Sequence, residues 1–370
     1  DIIFIRVRME KVIKKVLEKL VNNGYKAYVV GGYVRDNLLG ISSIDVDICT
    51  SALQKDIHKI FNITNSNNYG GSNIKIKEFN IDITTFRKEN KYIGRFPVEI
   101  EYIDNLSEDL LRRDFTINAI CMDKTGKVID ELNGINDLNN CVIRSIGNSL
   151  EKIKEDPLRI LRAIRFATIL DFEIEEDLFM QIKENGSLVT SLSKARIKEE
   201  ISKILMSKNY LRGLRLLEVL GLKKELNMEY DEVIYCKDLL GMFAQVKIEG
   251  IPFTKEESNN IINITNVLKS GVINNFTLYK YGLYICTVAG EILNIKTSII
   301  SDTYKSLPIK DKDDIDIKGV NIIDVLNILP GKVIKDIMND LEKEILAKRV
   351  KNNYKDLKKY ILLNKGKWLN

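Results

Sequence analysis

Gly31-Gly32-Tyr33-Val34-Arg35-Asp36-Asn37-Leu38-Leu39-Gly40-Ile41-Ser42-Ser43-Ile44-Asp45-Val46-Asp47-Ile48-Cys49-Thr50 is the stretch whose reading decides the fold. Ala27 to Val30, just ahead of it, is a short apolar run that reads as a strand. Gly31-Gly32 then reads as a tight turn, and Tyr33 onward as the start of a helix. A strand, a turn and a helix in that order deliver backbone N–H groups and the positive end of a helix to one place, which suits a phosphate. Side chains alternate between the faces of a strand, so Ile44-Asp45-Val46-Asp47-Ile48 puts Asp45 and Asp47 together on one face. A diglycine alone is only a turn, and Asp-x-Asp alone also fits a half-buried edge strand with solvated acids. The combination, with the acids about a dozen residues after the turn, is far more specific than either part.

Two carboxylates so placed can hold a pair of divalent ions roughly 3.5–4 Å apart, one activating a hydroxyl nucleophile and one steadying a departing pyrophosphate. Oxygen ligands of this kind suit Mg²⁺. Asn80-Ile81-Asp82-Ile83-Thr84 repeats the alternation, so a neighbouring strand could bring Asp82 to the same ions. The expected catalytic carboxylates are therefore Asp45, Asp47 and Asp82, with Asp45 and Asp47 as the metal ligands.

Two further clusters carry chemistry. Arg112 and Arg113 are donors suited to a triphosphate, and Asp114 can accept from a ribose hydroxyl; a solvated turn is the alternative. Asp156 and Arg159, three apart, would face the same way on a helix, one offering acceptors and the other donors. Cytosine and adenine both present an amino donor beside a ring-nitrogen acceptor, which such a pair complements, whereas uracil and guanine would set a carbonyl oxygen against the carboxylate. Asp156-Pro157 is equally the cap and first position of a helix. That helix, Pro157 to Leu170, would carry Arg159, Arg162 and Arg165 on one broad face opposite Leu158, Leu161, Ile164 and Phe166, and such a stripe reads either as a solvated face or as a triphosphate clamp.

These residues resemble the class II tRNA nucleotidyltransferase and bacterial poly(A) polymerase family. Gly31 to Thr50 is similar to its first motif almost throughout, and Arg112 to Ala119 (RRDFTINA) to the second, which in the family contacts ribose. Asp130 to Leu138 (DELNGINDL) resembles the hinge motif, Glu155 to Arg159 (EDPLR) the nucleobase-reading motif, and Ser193 to Glu200 (SKARIKEE) loosely the last neck motif, with Ala195 where the family often has Glu. The resemblance implies an α+β nucleotidyltransferase head of the DNA polymerase β type, residues 1–148, followed by an all-α neck (149–215), body (216–300) and tRNA-binding tail (301–370). It implies nucleotide contacts from Gly31, Gly32, Arg35, Arg112, Arg113, Asp114 and Asn118 in the head. From the neck it implies Glu155, Asp156, Arg159, Arg162 and Arg165.

The activity so implied is addition of CCA to the 3′ end of tRNA from CTP and ATP with Mg²⁺. A poly(A) polymerase is the rival, but the Gly-basic-basic-Phe element of those relatives is missing from Tyr69 to Ile76. A CC-adding enzyme would lack the flexible loop before the second motif, whereas Lys88 to Val98 keeps Tyr92, Arg95 and Pro97 in a loop-like context. Gly94 stands where many relatives have Asp, so an A-adding enzyme stays open. A non-catalytic RNA-binding protein on the same fold would be expected to have lost its carboxylates, which are intact.

Composition agrees with a nucleic-acid partner. The 370 residues carry 57 Lys and Arg against 52 Asp and Glu. From Gly331 to Asn370 there are eleven basic residues against five acidic, an electrostatic footprint for a phosphate backbone or the solvated face of a helix pair. Five cysteines at irregular spacing suit a reducing, cytoplasmic setting. No apolar run approaches the ~20 residues of a membrane span. The single histidine, His58, reads as a surface helix residue, and zinc finds no site. Met9 lies where relatives often begin, so residues 1–8 read as an extension ahead of it.

Overall fold

The computed structural model describes residues 2–63, 71–76, 79–93 and 96–369, with side chains from 9–63, 71–76, 79–89 and 99–369. The chain divides into two units, residues 1–228 with 249–251, and residues 229–248 with 252–370.

The first unit opens with α1 (Ile2–Asn22), whose Met9, Val12, Ile13, Val16, Leu17 and Leu20 are all buried, a helical stripe of period 3.6. Then come β1 (Ala27–Val30), α2 (Gly32–Leu38), β2 (Val46–Thr50), α3 (Gln54–Phe61), β3 (Gly71–Ile76) and β4 (Phe79–Thr85). After them follow β5 (Arg87–Ile93), β6 (Phe96–Tyr102), α4 (Leu106–Leu111), β7 (Cys121–Met122) and β8 (Val128–Ile129). Six strands form one mixed sheet in the order β3-β4-β2-β1-β7-β8, with β2 parallel to β4 and the named neighbours otherwise antiparallel. Val46 and Ile48 of β2 are buried on one face. Cys49 points to the other, where Val30, Phe86, Leu106, Leu110, Ala119, Cys121 and Ile146 form a core. Asp47 shares that second face with Cys49 but lies two residues nearer the strand start, and is exposed.

Two sequence expectations change here. The strand begins at Val46, not Ile44: Ile44 is 66% exposed, and Asp45 sits in the approach to the strand. Lys88 to Val98 is not a loop but most of a hairpin, in which β5 pairs antiparallel with β6 from Arg87↔Tyr102 to Ile93↔Phe96. The polar sequence of β5, RKENKYI, lacks the alternation that marks a half-buried strand, which only β6, FPVEIEY, shows. Gly94 and Arg95 lie outside the described residues, as do Tyr69 and Gly70 of the stretch lacking the poly(A) element.

Helices dominate the remainder of this unit. After α5 (Gly134–Asn139) and β9 (Val142–Ile143) come α6 (Ser149–Glu155), α7 (Leu158–Leu170), β10 (Glu173–Ile174), α8 (Glu176–Asn185), α9 (Lys194–Leu205), α10 (Tyr210–Val219) and α11 (Leu222–Glu225). Asn148 caps α6 by accepting from Glu151 N at 3.0 Å. Ten of the thirteen residues of α7 are buried, including Arg159 and Arg165, so this helix is a core element and its arginines are not a solvated stripe.

The second unit is helical: α12 (Leu239–Gln245), α13 (Lys255–Ser270), α14 (Asn275–Ile292), α15 (Thr297–Lys305), α16 (Gly319–Leu326), α17 (Lys332–Leu346) and α18 (Tyr354–Asn364). α14 is kinked at Gly282, whose φ of 77° is left-handed. Ile322, Ile337, Leu341, Ile345, Leu357 and Ile361 anchor its core. Several basic side chains near the C-terminus are paired, Arg349 with Glu344 and Lys367 with Asp340. No helix among the described residues is long and apolar enough to cross a membrane.

Candidate active site

A cleft of about 640 Å³ opens in the first unit. It gathers Gly31, Gly32, Arg35, Asp45, Asp47, Arg112, Arg113, Asp114, Asn118, Asp156, Arg159, Arg162 and Arg165, thirteen of the fifteen residues expected from the sequence. Gly31 follows β1 and caps α2 with a φ of 82°, a conformation that favours glycine. A Cβ there would sit 3.5 Å from Asp47 Oδ2 and 4.0 Å from Arg113 Nη1, so the missing side chain keeps the space beside the carboxylate open. Gly31 N–H donates to Ile120 O at 3.3 Å and is therefore not the free phosphate donor the turn suggested.

Asp47 stands where negative charge is crowded. Burial of its surroundings raises its pKa, Asp82 and Asp45 raise it further, and Arg113 opposes them. Asp82 faces Asp47 in the parallel register of β2 and β4, but its Oδ1 accepts from Asn73 Nδ2 at 2.7 Å and it does not line the cleft. No cluster of three or more acidic, His or Cys residues able to hold a metal occurs among the described residues. Two oxygen donors, Asp45 and Asp47, remain. They fit a small hard cation, which takes one or two protein carboxylates and completes its shell with phosphate and water.

Behind them lies a chain of charged hydrogen bonds. Arg35 Nη1 donates to Asn118 Oδ1 at 2.7 Å and its Nε to Asp36 at 2.8 Å. Asn118 Nδ2 donates to Asp114 Oδ1 at 3.1 Å, as does the Phe115 N–H at 2.8 Å. Arg162 Nε donates to Asp114 Oδ2 at 2.7 Å. Burial alone would push the Asp114 carboxyl up, but Arg162, Asn118 and the Phe115 N–H together hold it down at about 2. Asp114 is thus a firmly ionised acceptor 8% exposed at the cleft wall.

Arg112 and Arg113 share the fully buried Asp109 at 2.9 and 3.3 Å. Arg159 is held by three acceptors: Lys152 O at 2.9 Å, Glu155 Oε2 at 2.8 Å and Arg112 O at 2.9 Å. Glu155 does not line the cleft; it pairs with Lys152 at 3.0 Å and accepts from Arg159, which it helps to orient. Asp156 Oδ1 accepts from Leu158 N at 3.1 Å at the start of α7, and Asp156 lines the cleft.

Phe166 is a further correction. Instead of lying opposite the arginines, it lines the cleft among them, with Arg165, Arg35 and Arg162 at 4.3, 5.0 and 5.3 Å from its ring centroid. The spacing Arg159, Arg162, Phe166 places these on one helical face, a signal present in the sequence. Asp36, Ser43, Arg87 and Glu89 also line the cleft and were not expected. Arg87 and Glu89 come from β5, which long-range pairing brings here.

A mixed sheet carrying adjacent carboxylates, a glycine turn and a ring of arginines defines a nucleotidyltransferase. Residues 27–144 match the Poly A polymerase head domain, 171–233 the probable RNA and SrmB-binding site of polymerase A, and 243–368 the putative tRNA nucleotidyltransferase domain 2. The CCA-adding enzyme of Ligilactobacillus salivarius is 34% identical over 96% of this chain and 95% of its own, and that of Lactococcus lactis 33% over 91% and 92%. The chain belongs to the CCA-adding enzyme and poly(A) polymerase family. Its fold is similar to that of the Bacillus stearothermophilus CCA-adding enzyme in complex with CTP (TM-score 0.81, 24% identity, 96% of this chain and 97% of that one). It is also similar to the Thermotoga maritima enzyme complexed with tRNA (TM-score 0.65, 20% identity, 96% and 95%).

Proposed function

We propose that this protein adds CCA to the 3′ end of tRNA, using CTP and ATP and releasing pyrophosphate. The observation that carries the reading is the convergence of Asp45 and Asp47 with Arg113, Asp114, Asn118, Asp156 and Arg159 in one cleft. Full-length similarity to CCA-adding enzymes favours tRNA over other acceptors. The reaction is in-line attack of the RNA 3′-hydroxyl on the α-phosphate. Asp45 and Asp47 would hold two Mg²⁺, which would supply hydroxyl activation and charge stabilisation, with Asp82, its side chain held by Asn73, assisting by adding negative charge beside Asp47 from the next strand. Arg112, Arg113, Arg162 and Arg165, with Arg35 behind them, draw the triphosphate into the cleft, and Asp114 and Asn118 meet the ribose. Asp156 and Arg159 read the base edge, accepting the amino group of cytosine or adenine and donating to its ring nitrogen.

Residues 149–215 then act as the neck, 216–300 as the body and 301–370 as the tRNA-holding tail of a cytoplasmic enzyme. The test supplies labelled CTP and ATP, separately and together, to tRNAs ending before the terminal CCA, after its two cytidines or after its adenosine, and to an unrelated RNA. Completion of the first two, with no extension of the others, is expected. Extension of the CC-ended tRNA alone would mean an A-adding enzyme, of the shortest alone a CC-adding one, and long A tails on any RNA a poly(A) polymerase.

A further inference from the structure

The segment Asp130–Leu138 lines no part of the cleft, yet it is bonded to the turn that presents Asn118. Thr116 Oγ1 donates to Asp137 Oδ2 at 2.6 Å, and both residues are buried, at 5% and 3% exposure. The Asp137 carboxylate also accepts from Arg144 Nε, at 3.1 and 3.2 Å, while the Thr116 N–H donates to Arg144 O at 3.1 Å. One acid and one arginine thus grip Thr116 by side chain and backbone together.

Gly134 presses on the same residue. A Cβ there would lie 2.3 Å from Thr116 O and 2.8 Å from Ile120 Cγ1, an approach that no other residue permits. Asp130 fixes this backbone by accepting from Gly134 N and Ile135 N, both at 2.8 Å. Thr116 begins the single turn Thr116–Asn118, at whose end Asn118 joins Arg35 to Asp114. Displacing Thr116 therefore displaces the two side chains that face the sugar.

We propose that Asp137 is a positioning residue for sugar selection: through Thr116, and against Gly134, it sets Asn118 and Asp114 so that a ribonucleotide is taken over its deoxy analogue. This rests on the reading of Asp114 and Asn118 as ribose contacts. A site that hydrogen-bonds a hydroxyl rejects the analogue lacking it only while its partners are held in place.

The test uses the full chain, a CCA-less tRNA, and kcat and KM for CTP and dCTP. Thr116→Val keeps the shape and removes the donor. It should lower the CTP-over-dCTP preference in kcat/KM by about tenfold, mainly through KM for CTP, short of the ~100-fold of a full ångström's misplacement. Thr116→Ser restores the donor and should retain the preference. Asp137→Ala should match Thr116→Val, with no further loss in the double variant, and it carries the test by itself in any case where Thr116→Val fails to fold. Equal loss on both nucleotides would mark a merely structural role and overturn the proposal. Asn118→Ala separates the two levels. A preference lowered by Asn118→Ala but not by Thr116→Val refutes the positioning alone. A preference unmoved by Asn118→Ala refutes the ribose reading and the proposal with it.

Discussion

Asp114→Asn is the perturbation whose size the structure fixes best. The carboxyl is held at about 2 against burial, whereas an unfolded Asp titrates near ~3.9. That difference is worth about 2–3 kcal/mol at neutral pH, since the ionised form is favoured in the folded chain. Asparagine keeps the shape and can still accept from Asn118 and Phe115, but it leaves Arg162 without its counter-charge. The first unit should therefore unfold at a lower temperature, by roughly 5–10 °C for a domain of this size. The sign with pH follows from a depressed acid. The stabilisation is complete above the unfolded pKa and fades as pH falls toward the folded one, so the gap between wild type and variant should close between about pH 4 and 2. Thermal melts at pH 7, 5 and 3.5 read this directly. Adding Arg162→Met should recover part of the loss, because the stranded charge goes with it. Equal melting temperatures at pH 7, or a gap independent of pH, would refute the electrostatic account of this pair.

Arg159→Ala should relax nucleotide choice, raising UTP and GTP incorporation relative to CTP by at least about tenfold in competition assays. Unchanged rejection would leave Arg159 as a structural tie between Glu155, Lys152 and Arg112. Phe166→Leu keeps apolar bulk but removes the ring among three guanidinium groups. It should raise KM for both CTP and ATP several-fold, on the order of the ~1 kcal/mol of a partly desolvated cation–π contact, with tRNA affinity unchanged in a filter-binding titration.

The parts of the site legible in the sequence are those whose geometry is local. Gly31 needs a left-handed φ, and Asp47 alternates with Val46 and Ile48, so a dozen residues of pattern suffice to place them. Arg159 and Arg162 share a helical face with Phe166, and the same periodicity would have put Phe166 in the cleft had its apolar side chain not suggested core alone. Arg87 and Glu89 depend on the pairing of β5 with β6, and β5 itself, RKENKYI, carries no hydrophobic alternation, although its partner FPVEIEY does. Glu155 lies outside the cleft lining and accepts from the buried Arg159, a tertiary role its motif position does not reveal. Asp82 shows the limit of register arguments: its backbone stands beside Asp47, as the alternation implied, while Asn73 holds its side chain.

The central claim is most directly tested by mixing CCA-less tRNA, CTP, ATP and Mg²⁺ with wild type and with Asp47→Asn, and weighing the RNA product by intact mass. Wild type should give one species heavier by two cytidylates and one adenylate, and Asp47→Asn none, although it still binds the tRNA. A ladder of adenylates from the wild type, or extension by the Asp47→Asn variant, would contradict the account.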